Sequence, residues 1–204
     1  MQHLTPGNAG RPAWRVGYVP GVMPGKWARI WSERTSQPLD LVLTEVDVQL
    51  ERLRDGSLDM CLARGGADVD IAKAEFHLFP LYREQPVVVA GSEHPVAAYD
   101  EIDVAELSDE YDVLAENPGL ALASAIETVA AGTGIVIVPM SLARLHHRKD
   151  AVWIPVHGVA EYPVGLAWLK EPPADLDELA REAREESVQR FIGIVRGRTA
   201  NSSR

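Results

Sequence analysis

Apolar positions change their spacing several times along this chain, and each spacing predicts an element. From Ile135 to Val138 every position is apolar and β-branched, and Pro139 closes the run. Such a strand is covered on both faces, which points to the parallel sheet of an α/β protein. Ahead of it, Ala125, Ile126, Val129 and Ala130 recur at helical spacing until Gly132-Thr133-Gly134 breaks the helix. After it, Ser141 opens a short apolar stretch, Leu142 to Leu145, which predicts a second helix following the strand.

The same reading covers the rest of the chain. Trp14 to Val19 is a strand, Pro20-Gly21-Val22-Met23-Pro24-Gly25 a turn, and Lys26 to Arg34 a helix with Trp27, Ile30, Trp31 and Arg34 on one stripe. Leu39 to Leu43 is a strand; Val46, Leu50 and Leu53 mark a helix with Asp47 as N-cap and Gly56 as stop. Ser57 to Ala63 is a third strand, ending in Arg64-Gly65-Gly66. This β-α-β-α-β order predicts right-handed crossovers and a parallel sheet. Phe76 to Pro80 and Gln85 to Ala90 read as strands, Asp100 to Asp112 as a short helix and loop, Val113 to Ala115 as a strand and Asn117-Pro118-Gly119 as a turn. Val152 to Pro155 and Val164 to Trp168 are strands joined through His157-Gly158. A long helix runs from about Asp175 to Val195, with Leu179, Ala183, Phe191, Ile192 and Val195 on its apolar side. Residues 1–13 and 197–204 hold too little apolar surface to offset ordering entropy and are expected as flexible tails.

Composition narrows the class. With 204 residues, 46% of them hydrophobic and 25% charged, the chain can build one ordinary core or two small ones. A formal net charge of -10, with 20 Lys and Arg scattered along the chain, argues against direct nucleic-acid binding, which needs clustered cations. The single cysteine, Cys61, excludes an internal disulfide and a thiolate-rich zinc site, and inside a strand it reads as a small buried hydrophobe. No leader-like or membrane-length apolar run occurs, so a cytoplasmic protein without membrane contact is expected.

Catalytic signatures are missing. No G-x-S-x-G elbow, Ser-His-Asp pattern or dinucleotide fingerprint occurs. His146-His147-Arg148 lacks a third ligand at metal-binding spacing and reads as a solvated basic turn, while His94 and His157 sit beside Pro95 and Gly158 as turn residues. Neither an enzyme nor a cofactor or metal is expected. Two places carry candidate binding chemistry, each with two readings. The Pro20 to Gly25 loop either turns backbone N–H groups and a helix N-terminus toward an anion or is simply a tight turn. Arg64, after the third strand, either faces a ligand carboxylate at the sheet's carboxyl edge or is a solvated cation paired with Asp68 or Asp70.

Four segments together carry a family resemblance: LERLRDGSLDMCLAR (Leu50 to Arg64), FPLYREQPVVVAGSEHPVA (Phe79 to Ala97), IETVAAGTGIVIVPMSLA (Ile126 to Ala143) and VQRFIGIVR (Val188 to Arg196). In this order the chain resembles the effector-binding domain of LysR-type transcriptional regulators. That resemblance implies a two-lobed α/β fold of the type 2 periplasmic-binding-protein class, with mixed, mostly parallel sheets. Lobe I would hold residues 14–85 and 163–196 and lobe II, shortened between Glu106 and Ile126, residues 86–162. The strands Gln85 to Ala90 and Tyr162 to Trp168 would cross between the lobes. The family's winged helix-turn-helix does not fit into the residues before Trp14, so a sensing half without a DNA-reading half is expected.

By the same resemblance a small-molecule effector, a carboxylate or an aromatic acid, would meet Pro20, Gly21, Val22 and Met23, Thr44 and Glu45, and Arg64 from one lobe, with Asn117, Gly132, Thr133 and Gly134 from the other. Pro20, Gly21 and Val22 stand where the family uses Ser or Thr donors, and Met23 and Trp27 supply an apolar wall instead. Expected partners are a second copy in a homodimer, or a full-length regulator in a heteromer. Two alternatives stand beside this reading: a freestanding small-molecule binding protein, and an interaction module with a vestigial cleft.

Overall fold

The computed structural model describes residues 12–65, 72–172 and 176–197. Expectations placed on Gly66, Asp68 and Asp70, on most of both tails and on the helix start at Asp175 lie outside the described residues. In chain order the elements are β1 (Trp14–Tyr18), α1 (Gly25–Arg34), β2 (Leu39–Leu43), α2 (Glu51–Arg54), β3 (Met60–Arg64), β4 (Phe76–Glu84), β5 (Pro86–Gly91), β6 (Ile102–Asp103), α3 (Val113–Glu116), α4 (Leu122–Ala130), β7 (Ile135–Pro139), α5 (Met140–Leu145), β8 (Ala151–His157), β9 (Tyr162–Leu169) and α6 (Glu178–Val195). The chain divides into two compact units. The first takes the described residues within Met1–Ala63, Ala67–Phe79 and Gly165–Arg204, and the second those within Arg64–Gly66 and Pro80–Val164.

The first unit is built on a sheet of order β2-β1-β3-β9-β4, in which β1 runs parallel to both β2 and β3. β3 is buried at every position, as its apolar run requires. The apolar stripe of α6 buries Val188, Phe191 and Ile192, and Phe191 meets Trp31 of α1 in a tilted aromatic pair with centroids 5.8 Å apart. The Trp31 indole N–H donates to the Gln37 carbonyl at 2.8 Å, so the large ring is buried with its polar atom satisfied. Asp177 caps α6 by accepting from the Ala180 N–H.

Two local expectations for this unit are corrected. The helix after β2 is only the four residues of α2; turns occupy Val46 to Leu50, and exposed Asp47 caps nothing. Four residues cannot carry a full apolar stripe, so Leu50 and Leu53 enter the core while Val46 stays exposed. The third strand begins at Met60, because Asp59 turns to Arg15. Its carboxylate accepts from the Arg15 backbone N–H at 2.8 Å, from Nε at 3.2 Å and from Nη2 at 3.0 Å.

Cys61 lies in the cluster formed by Leu53, Leu58, Phe76 and Ala167. Burial pushes its thiol up to about 12, which removes the reactive thiolate near neutral pH. Native protein should therefore not react with a chromogenic disulfide reagent in mildly alkaline buffer, and one thiol should appear on unfolding in guanidinium chloride. Rapid reaction of the native chain would contradict this burial.

The second unit carries a four-stranded sheet of order β6-β8-β5-β7. Val87, Val89, Val136 and Val138 pack with Ala125 and Val129 of α4 on one face, and Val88, Ala90, Ile135 and Ile154 pack with Val96, Ile102 and Leu107 on the other. The double coverage expected for Ile135 to Val138 is present, but the parallel direction is not: β5 is antiparallel to both β7 and β8. An unbroken apolar run records burial of both faces and carries no information about strand direction.

Val113 to Ala115, expected as a strand, forms the helix α3. The Asp112 carboxylate accepts from the N–H groups of Leu114 and Ala115 at 3.0 and 3.1 Å, a capping geometry that outweighs the extended preference of so short a run. Among the described residues the chain enters the second unit at Arg64, is back in the first by Ala72, leaves it again between Phe79 and Pro80 inside the nine-residue β4 and returns between Val164 and Gly165 inside β9; β5 lies within the second unit. Leu81 to Glu84, between the two expected strands, continues β4 as extended chain.

Candidate functional site

In the first unit, β1 delivers the chain into the Pro20–Met23 loop. Gly21 takes φ 87°, a conformation open to glycine at little cost, and the Val22 N–H closes the turn on the Val19 carbonyl at 3.1 Å. The turn buries Val22 and leaves Met23 86% exposed. α1 then starts at Gly25 with no side-chain cap, and Trp27 is half-buried on it. Thr44 is buried: its N–H donates to the Tyr18 carbonyl and its hydroxyl to the Val42 carbonyl, both at 3.0 Å. The hydroxyl proton is thus spent within the protein. Glu45 beside it is exposed.

In the second unit, Arg64 is 4% exposed, not solvated. Its Nη2 lies 2.9 Å and its Nε 3.1 Å from Glu84 Oε2, and Nη2 also donates to Ser141 Oγ at 3.2 Å. Glu84, at the end of β4, is equally buried. This carboxylate takes the position expected for a ligand anion, so the guanidinium charge is matched internally and Ser141, at the start of α5, is oriented by it. Two phenols lie within electrostatic reach. Burial, then the Glu84 carboxylate, raises the Tyr82 phenol above its usual range; burial, then Asp112, raises that of Tyr162; Arg64 acts in the opposite sense on both.

Asn117 is exposed and donates through Nδ2 to Tyr111 Oη and to the Val113 carbonyl, both at 2.9 Å, which fixes its amide over α3. Gly132 and Thr133 form the exposed tip of the turn between α4 and β7, with the Thr133 N–H donating to the Thr128 carbonyl at 3.3 Å. The expected residues therefore fall into two sets, Pro20–Met23, Trp27, Thr44 and Glu45 in the first unit, and Arg64, Asn117, Gly132 and Thr133 in the second.

Glu84, Ser141, Tyr82 and Tyr162 were not singled out by sequence reasoning. Arg64 and Glu84 are 20 residues apart and Arg64 and Ser141 are 77 apart, separations at which no local pattern reports pairing. The one available signal was Glu84 itself, a charge two residues before the apolar run of β5. His94 accepts from the Val96 N–H through Nδ1 and so caps its turn. No group of three His, Cys, Asp or Glu suited to a metal ion occurs among the described residues.

Parallel β-α-β order in one unit and an antiparallel-centred sheet in the other make up a two-unit α/β fold of the type 2 periplasmic-binding-protein class. Residues 28–120 match the family model of the LysR substrate binding domain. The HTH-type transcriptional regulator PcaQ of Agrobacterium fabrum is 29% identical over 164 residues, covering 74% of this chain and 51% of the relative; this chain thus spans about half the length of the curated relatives it matches. The reduced OxyR regulatory domain of Pseudomonas aeruginosa shares the fold with a TM-score of 0.63 at 20% identity, covering 91% of this chain and 98% of that one. The BenM effector binding domain, solved with its effector benzoate, does so with a TM-score of 0.63 at 18% identity over 94% and 96% of the two chains.

Proposed function

We infer that this chain is the effector-sensing domain of a LysR-type transcriptional regulator and that its signal is a small organic acid. The match of residues 28–120 to the LysR substrate binding domain model supports the reading, and BenM, which shares the fold, provides the precedent of an aromatic carboxylate. Sensing by an internal disulfide is disfavoured, because the chain holds one cysteine and that residue is buried in the core. In the second unit, the Ser141 hydroxyl oriented by the Arg64–Glu84 pair is the group proposed to meet the acid. The Asn117 amide oxygen, which only accepts, is proposed to take a hydroxyl or amino donor elsewhere on the effector.

The domain is proposed to act as a homodimer, or in a heteromer with a full-length regulator. Edge strand β2 exposes Leu41 and Leu43, which favours a covered edge.

The test is a thermal-shift screen with benzoate, hydroxybenzoates, amino acids, keto acids and phosphorylated metabolites. A ligand at about 100 times its Kd stabilises by about 2.7 kcal/mol, and in a chain of this size that raises Tm by several degrees. Ser141→Ala should reduce the response while leaving the unliganded Tm close to wild type. Silence across the panel would overturn the sensing role in favour of an interaction module. Sedimentation of the same preparation as a monomer at tens of micromolar would overturn the homodimer.

A further inference from the structure

The first unit holds a cavity of about 470 Å³ between the start of β1 and the first half of α6. It shares no residue with either set described above. Part of the lining is apolar, made by Trp14, Leu176, Ala180 and Ala183. The polar part is less ordinary. Trp14 is 4% exposed, yet its indole N–H has no hydrogen-bond partner among the described residues. Trp31, in the same unit, has its N–H satisfied. A buried donor without an acceptor costs about 1–3 kcal/mol, so an arriving acceptor has that much to relieve.

The charges in the lining are unequal. Arg15 and Asp59 are joined by the three bonds described above and neutralise each other. Arg184, from α6, makes no hydrogen bond or ion pair among the described residues; burial lowers its affinity for the proton, and Asp59 and Glu185 oppose that effect from a distance. Glu185 is not part of the lining and accepts from Gln189 Nε2. Gln37 is already engaged, donating to the Pro12 carbonyl and lying 2.9 Å from the Ser187 hydroxyl. The lining therefore carries an excess cation on Arg184 and an unused donor on Trp14, beside its apolar part.

We propose that this cavity is a second ligand site, distinct from the effector-sensing residues, which takes a small organic monoanion with a flat apolar body, its carboxylate held by Arg184 and the Trp14 indole N–H. The volume falls in the range of small-molecule sites. An arginine fork and an indole N–H supply donors only, so the site selects an acid over its neutral isostere.

The chain has five tryptophans, so indole N–H resonances of ¹⁵N-labelled protein give a local readout. The Trp14 resonance is assigned as the one lost in Trp14→Phe. Titration with 2-naphthoate should move it saturably, and 2-naphthalenemethanol should bind at least about tenfold more weakly. Arg184→Gln should weaken the acid by a similar factor. Ala180→Leu, which fills the cavity from the helix side, should abolish the shift even if Trp14→Phe fails to fold and assignment has to come from backbone experiments. A Trp14 resonance that stays fixed, or equal affinity for acid and alcohol, would overturn the proposal. Arg184→Gln should keep any thermal response in the effector screen, so failure at this cavity and failure of the sensing role are separable.

Discussion

Arg64→Ala should destabilise the chain by about 3–5 kcal/mol, the cost of leaving one partner of a buried ion pair uncompensated. The mechanism is desolvation. Glu84 is buried, and its Oε2 accepts from two nitrogens of Arg64; without them a carboxylate stays out of water with no counter-charge. Arg64→Met combined with Glu84→Leu should recover most of the loss, because hydrophobic side chains of similar volume replace buried ion pairs at little net cost. Urea denaturation followed by tryptophan fluorescence measures both. If the single variant unfolds within about 1 kcal/mol of wild type, the pair is not the buried element described. The consequence for ligand work is practical: loss of effector response in Arg64→Ala would report a damaged fold, which is why Ser141→Ala is the more informative probe.

Gly134→Ala should cost about 2–4 kcal/mol. Gly134 has φ 65°, where a side chain costs about 1–2 kcal/mol through contact of Cβ with the backbone. An added Cβ would also press on the Tyr111 carbonyl oxygen and lie 2.9 Å from Tyr111 Cδ1. That carbonyl accepts the Ile135 N–H at 2.9 Å, at the bridge where Asp112 pairs with β7, so the substitution sacrifices a buried hydrogen bond as well. Gly132→Ala is the internal control. Its φ is 94°, but nothing lies within 4 Å of an added Cβ, so only the conformational part is lost. Equal denaturation midpoints for the two variants would show that the Tyr111 contact does not matter.

Legibility of the fold followed the range of the forces involved. Trp31 and Phe191 were visible as members of helical stripes because their burial is periodic along each helix; that they meet was not visible. Asp112 illustrates the competition between local signals, since Val113 to Ala115 had a plausible strand composition and the cap one residue earlier decided for helix. Asp47 shows the reverse, a good capping residue with too short a helix behind it to cap.

For the candidate site, residue type was legible and state was not. Arg64 stood out because an arginine beside glycines at the carboxyl end of a strand stands where open α/β sheets bind ligands. Whether its charge is open to a ligand depends on Glu84, which reaches it only after β4 has been laid down, and on Ser141, far along the chain. Thr44 was read as a hydrogen-bonding group, and it is one, but its proton goes to Val42. The cavity at Trp14 had no sequence signal, since Trp14 read as an ordinary strand residue and Arg184 was not singled out.

The sequence by itself determined the α/β class, the order of the principal elements, the burial of β3, β5 and β7 and the inert setting of Cys61, because these follow from composition and from periodicities shorter than one turn or two strand residues. Tertiary structure decided the antiparallel pairing around β5, the closure of Arg64 on Glu84 and the setting of the Trp14 indole N–H, which has no partner among the described residues. These depend on which distant segments meet, and the free energy of a buried charge or donor is set by that neighbour and by the loss of water, neither of which the residue itself encodes.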